Sequence, residues 1–183
     1  MDASQQILFP ESPVLIVGLV DAVWLDPTGE IEELTHQDTV RRINAGGAPM
    51  VCHAPSCARR LNIEKFRALD VLELFAFVRP TAFCSPTPEG LARAMGIDVQ
   101  PGAVANSMAL RQVAMGLLIE LRDAPRSRDD IPIAGALAYG GWDWAPFVLA
   151  ALGEQGKQVT RSPMAGLDVW RRLSEWQDRP PQG

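Results

Sequence analysis

The sequence has no surplus of positive charge. Its 183 residues carry 17 Lys and Arg against 22 Asp and Glu, a formal net charge of −5. A free-standing nucleic-acid binder draws most of its affinity from phosphate neutralisation and usually shows a net basic face. Only a local patch can serve here, and the candidates are Arg41-Arg42, Arg59-Arg60 and Arg171-Arg172. Each pair also reads as the solvated side of a helix. Long apolar runs are missing too. None reaches the roughly 18 residues of a membrane span, and no basic start with an apolar core marks a signal peptide. The expected location is therefore the cytoplasm, with no membrane partner. Cysteine is scarce and odd in number, three in all, which fits free thiols in a reducing compartment. There is no phosphate-binding loop: Gly153-Glu154-Gln155-Gly156-Lys157-Gln158 has the wrong spacing and no hydroxyl for Mg²⁺, so it reads as a solvated turn.

What is present is enough apolar surface for a full core. At 47% hydrophobic and 21% charged residues, a chain of this length lies outside the disordered class. The pattern along it is α/β. Val14–Leu25 and Glu30–Leu34 read as a hairpin, since Asp26-Pro27-Thr28-Gly29 supplies a Pro and a Gly suited to a turn. Thr35 can cap a helix through Asn44, with Asp38 three residues on and Gly46-Gly47 as its stop. Pro49–Cys52 reads as a buried strand ending at His53, followed by a turn into a helix. Asp70 is suited to cap the element it precedes, and Glu89–Met95 reads as a helix closed by Gly96.

A long helix is expected from about Val104 to Leu121. Leu110, Val113, Ala114, Leu117, Leu118 and Leu121 form its apolar stripe, and Met108, Met115 and Ile119 widen it. Such breadth implies cover on more than one side, by the carboxy-terminal part of the chain or by a partner. Beyond the polar stretch Asp123–Asp130 the composition becomes rich in Ala and Trp. There Asp143 can cap a helix through Leu152, with Trp142 and Phe147 as a hydrophobic staple. No Arg or Lys interleaves with Trp142 and Trp144, so core packing is expected in preference to stacking on bases.

The chemistry-bearing residues are sparse. Cys52, His53, Cys57 and Cys84 hold the right atom types for zinc, but Cys52 and His53 are adjacent on a strand and leave opposite faces. Buried free thiols are the expected reading. Cys57 lies four residues after His53, yet no third group orients the pair as a nucleophile and its base.

The layout of Met50 to Ile97 resembles the DnaQ-like branch of the RNase H-like exonucleases. In that family a strand, a His motif, an Asp-Thr-Leu-Glu-Leu block and a helix ending Leu-Gly-Ile follow in order. Here the corresponding pieces are His53, Leu69-Asp70-Val71-Leu72-Glu73-Leu74 and the helix closed by Gly96-Ile97. Such enzymes hold two divalent metals with four carboxylates, because phosphodiester attack needs charge neutralised on both attacking and leaving oxygens. In the best register Leu19 stands at the Asp of the first Asp-x-Glu pair, with Asp21 at the Glu. Ala58 stands at the Asp of the second motif, and Ser107 and Gln112 at the His and Asp of the last. One ligand of four cannot hold two Mg²⁺ ions.

A second resemblance covers Val14 to Trp176. The blocks Cys52-His53-Ala54-Pro55, Leu69–Pro80, Pro86–Ala92 and Gly166-Leu167-Asp168-Val169-Trp170 look like the amino-terminal region of alphaproteobacterial DinG-like ATP-dependent DNA helicases. The two resemblances together imply an RNase H-like mixed β-sheet flanked by helices, with a helical Trp-rich carboxy-terminal extension. They divide the chain into a degenerate exonuclease-like domain at 1–123, an extension packed on it at 124–176, and a linker at 177–183 toward a helicase core. ATP would be used in that core alone.

The implied role is a non-catalytic accessory domain that guides DNA weakly or docks the motor or another protein. Arg59, Arg60 and Arg111 would flank the DNA-facing groove, and neither a metal nor a cofactor is expected. The alternative is a residual Mg²⁺-dependent 3′–5′ exonuclease recruiting Asp21, His53, Asp70 and Glu73.

Overall fold

The computed structural model describes residues 7–124 and 130–154. The chain divides into two compact units: Phe9–Glu120, and the residues from Leu121 onward together with the amino terminus. The first unit is built on five strands: β1 Val14–Val17, β2 Asp21–Leu25, β3 Ile31–Thr35, β4 Met50–Val51 and β5 Leu69–Asp70. Their order is β3-β2-β1-β4-β5. β1 pairs antiparallel with β2 and β2 with β3, whereas β1–β4 and β4–β5 are parallel. Only β2 therefore runs against the rest, and the unit is an α/β fold with a mixed sheet flanked by helices.

Val14–Leu25 is not the single strand expected from its apolar run. The chain reverses at Gly18–Asp21, where the Gly18 amide donates to the Asp21 carbonyl at 2.8 Å. The register Val14↔Leu25 to Val17↔Ala22 makes β1 and β2 a hairpin of their own. A Cβ on residue 18 would lie 2.8 Å from the Asp21 carbonyl oxygen, so only glycine fits there. Leu19 and Val20 occupy the turn without positive φ, and neither is a turn former. Their apolar character hides the reversal in the sequence. The second turn is built as expected, with the Asp26 carboxylate accepting from the amides of Thr28 at 2.8 Å and Glu30 at 2.9 Å.

The helices start where side chains can take up free amides. α1 (His36–Ala45) opens on Thr35, whose hydroxyl accepts from the Asp38 amide at 3.1 Å. α2 spans Ala54–Arg60, α3 Val71–Val78 and α4 Pro88–Ala94. α4 closes at Gly96, which takes φ +72° and lets the Ile97 amide reach the Ala92 carbonyl at 2.9 Å. α5 runs for 21 residues, Ala103–Asp123. Leu15, Val17, Ala22, Trp24 and Val51 of the sheet pack with Ile43 of α1 and with Leu61 as one buried cluster. Val14 and Met50, on the opposite face by the period of two, are also buried. The Arg79 guanidinium joins three helices, bonding Glu120 of α5 through Nε at 2.9 Å and Nη2 at 2.8 Å, and the Ala94 carbonyl through Nη1 at 2.7 Å.

The second unit contains α6 (Asp130–Tyr139), which the Ala-rich composition did not announce, and α7 (Ala145–Ala151). α7 begins two residues after Asp143. Its cap position is Trp144, which makes no side-chain cap bond. Trp144 is fully buried and meets Phe147 edge-on, with centroids 6.1 Å apart, in keeping with the expected use of this residue in packing. Among the described residues no helix is long and apolar enough to cross a membrane. The part of the expected extension from residue 155 through Trp176, with Lys157, the block Gly166–Trp170 and Arg171-Arg172, and the linker at 177–183 lie outside the described residues.

Candidate functional site

Three parallel strands end at one edge of the sheet, and open α/β sheets bind ligands outside such carboxyl ends. β1 ends at Val17, β4 leads through Cys52 to His53, and β5 ends at Asp70. α2 starts after His53 and crosses back toward β1. At its last residue, Arg60, the guanidinium Nη1 donates to the Val17 carbonyl. A fixed cation therefore sits on the carboxyl end of the first strand, with Arg59 exposed beside it. Leu19 and Val20, at the tip of the β1–β2 hairpin, project from the same end, 87% and 83% exposed.

Asp70 organises the floor of this region. Its Oδ2 accepts from the Ala54 amide at 2.7 Å, and its Oδ1 from the amides of Leu72 at 3.0 Å and Glu73 at 3.4 Å. One carboxylate thus serves the first turns of both α2 and α3, the capping role expected of it. Burial pushes the Asp70 carboxyl above its ordinary range, against the opposing pull of the three amides and of the nearby His53 ring. His53 Nδ1 lies 2.8 Å from the Ser56 hydroxyl, which holds the imidazole at the start of α2. Glu73 is exposed in the first turn of α3, and Asp21 is exposed where β2 begins.

The structure gathers Arg59, Arg60, His53, Asp70 and Asp21 at one end of the sheet. Arg111 is elsewhere. Its Nη1 donates to the Pro27 carbonyl at 3.2 Å and its guanidinium lies 6.0 Å from the Phe9 ring. Pro27 belongs to the β2–β3 turn, which the register Val14↔Leu25 places at the amino end of β1. The three arginines therefore do not flank a common groove. The register of a long helix decides this, and the sequence pattern of α5 leaves its axial position open.

Two divalent metals do not fit the residues present. β1 is Val-Leu-Ile-Val, with no acid. Leu19 and Asp21, expected on the first strand, lie in the turn and at the start of β2. Ala58 is buried, Ser107 bonds back to the Val104 carbonyl at 2.7 Å, and Gln112 is exposed on α5. Both Asp70 oxygens are occupied by amides. Among the described residues no three His, Cys, Asp or Glu side chains converge. The thiols are no better placed as nucleophiles, since burial pushes Cys52 up strongly and Cys57 up to about 11.

The contacts that sequence reasoning missed are the Arg60 bond to Val17 and the apolar hairpin tip. The signal available for the second was Gly18 in an otherwise unbroken apolar run. No protein-family model, curated protein or solved structure matches the chain.

Proposed function

We propose that this chain is a non-catalytic accessory domain with an RNase H-like fold, joined in one polypeptide to a DNA helicase core and acting in the cytoplasm. It guides single-stranded DNA past the carboxyl end of its sheet. The observation that carries this reading is Arg60 on the Val17 carbonyl. At the place where a metal-dependent nuclease concentrates carboxylates, this chain has an apolar strand and a guanidinium. A guanidinium there attracts a phosphate and cannot activate water for attack on it. The mixed five-stranded sheet of order β3-β2-β1-β4-β5, with β2 reversed and helices flanking it, is compatible with an RNase H-like fold.

Contacts from Arg59 and Arg60 alone are weak, and the total charge of −5 opposes free encounter with DNA. Tethering beside a motor that already holds the strand supplies an effective concentration of order millimolar, which makes such contacts count. The purified chain is expected to release no nucleotides from single- or double-stranded DNA with Mg²⁺ or Mn²⁺. Nucleotide release that Asp21→Ala abolishes would restore the exonuclease alternative. In the full-length protein, joint Arg59→Ala and Arg60→Ala substitution is expected to weaken coupling to DNA, while Arg111→Ala leaves it unchanged. If the Arg59/Arg60 pair had no effect, the DNA-guiding role would give way to a purely protein-binding one.

A further inference from the structure

α5 turns an uncharged line toward solvent. Val104, Met108, Gln112, Met115 and Ile119 recur at helical spacing along one side. Val104 is 37% exposed, Met108 51% and Ile119 39%, with Met115 half-buried, while Leu110, Val113, Ala114, Leu117 and Leu118 on the other side are fully buried. A surface helix ordinarily carries its charges on the line facing water. Here that line holds none over four turns. The charged flanks are already engaged, Arg111 with the Pro27 carbonyl and Glu120 with Arg79.

The line reads the same in both directions. Val104 and Ile119, and Met108 and Met115, are each equidistant from the midpoint between residues 111 and 112, which falls beside Gln112. A two-fold interface uses one surface twice and needs this self-complementarity. Antiparallel packing about that midpoint sets Val104 against Ile119 of the partner subunit, and Met108 against Met115 of the partner subunit. Two copies that each carry −5 also meet with least repulsion where the surface is neutral.

We propose that α5 is the interface of a homodimer in which two chains pack these lines antiparallel. The contact is about 22 Å long, from a rise of ~1.5 Å per residue. One helix pair buries less than the roughly 800 Å² per partner of a standard interface. The dimer is therefore in exchange with monomer, with a dissociation constant in the micromolar range or above. This inference is independent of the DNA-guiding role.

Sedimentation velocity on the whole chain across a concentration series tests it. The sedimentation coefficient is expected to rise with concentration toward that of a dimer. Met108→Glu and Met115→Lys are each expected to weaken association by about tenfold or more while leaving the far-UV spectrum unchanged, because Met108 is exposed and Met115 only half-buried in the monomer. The double variant carrying both substitutions is expected to recover association, since antiparallel packing makes the introduced charges face each other twice. A chain that stays monomeric at every concentration assigns the line to a different occupant and overturns the proposal. So does association unaffected by Met108→Glu, or a double variant as weak as either single one.

Discussion

Replacing Asp70 with Ala removes the acceptor for three amides at once. Each bond from a backbone amide to a carboxylate is worth ~1.5 kcal/mol or more when made, and a buried amide left without a partner costs ~1–3 kcal/mol. The Glu73 contact at 3.4 Å is long and counts for little, which leaves the amides of Ala54 and Leu72 as the main losses. Against this, the carboxylate is only 3% exposed and burial outweighs the amides, so part of the gain is offset by desolvation. The expected net loss is about 2–3 kcal/mol, measured as a shift of the urea midpoint at constant slope. Asp70→Asn keeps one carbonyl acceptor but turns an amide donor toward another donor, and is expected to fall between the two.

The pH dependence has a definite sign. The folded-state pKa lies above the ordinary 3.8, so the folded chain holds a proton that the unfolded chain has released. The stability this contributes is present in full below 3.8 and is lost as pH rises through the raised folded value. The stability difference between wild type and Asp70→Asn should therefore move against wild type as pH climbs through that window. A loss below about 1 kcal/mol for Asp70→Ala, or a difference that moves the other way with pH, would refute the assignment of Asp70 as a buried double cap.

Two further substitutions probe how the helices are joined. Arg79→Lys replaces a planar fork with a single point charge, losing the paired bonds to Glu120 and the bond to the Ala94 carbonyl. With Glu120 about a third exposed, the expected loss is only ~1 kcal/mol in a urea titration. Gly90→Ala is expected to cost more, ~2–3 kcal/mol, because a Cβ there would lie 2.4 Å from the Ser85 carbonyl oxygen and backbone would have to shift. An unchanged midpoint for Gly90→Ala would mean that the loop before α4 is not seated as described.

The parts of the fold legible in sequence were those written in local chemistry. Thr35 with Asp38, Asp70 before α3, and Gly96 after α4 each act through atoms within a few residues, and each cap sits where its residue type demanded. The β1–β2 reversal was not legible. Its turn residues, Leu19 and Val20, are strand formers, and antiparallel pairing of β1 with β2 overrides their propensity. β5 escaped for a different reason: two residues paired to β4 leave no periodicity to read. The site shows the same division. His53 and Asp70 stood out because each falls in a recognisable local block, Cys52–Pro55 and Leu69–Pro80. The separation of Arg111 from Arg59 and Arg60 depends on how α5 is placed along the sheet, and no local residue encodes that.

The position of Arg111 also decides whether the two proposed surfaces compete. It flanks the centre of the uncharged α5 line, and its bond to the Pro27 carbonyl ties that centre to the amino end of β1. Arg60 is bonded at the opposite end of the same strand, on the Val17 carbonyl. A dimer axis beside residues 111 and 112 therefore leaves the carboxyl end of the sheet, with Arg59 and the Leu19-Val20 tip, open to a nucleic acid. Each copy in such a pair would offer its own basic edge, and two weak phosphate contacts on one assembly gain from avidity where one does not. The charge-introducing variants in α5 separate the surfaces experimentally. Met108→Glu should halve the number of DNA-facing edges per particle without altering any residue at the edge itself, so a fall in DNA binding that Met115→Lys restores would trace to pairing alone.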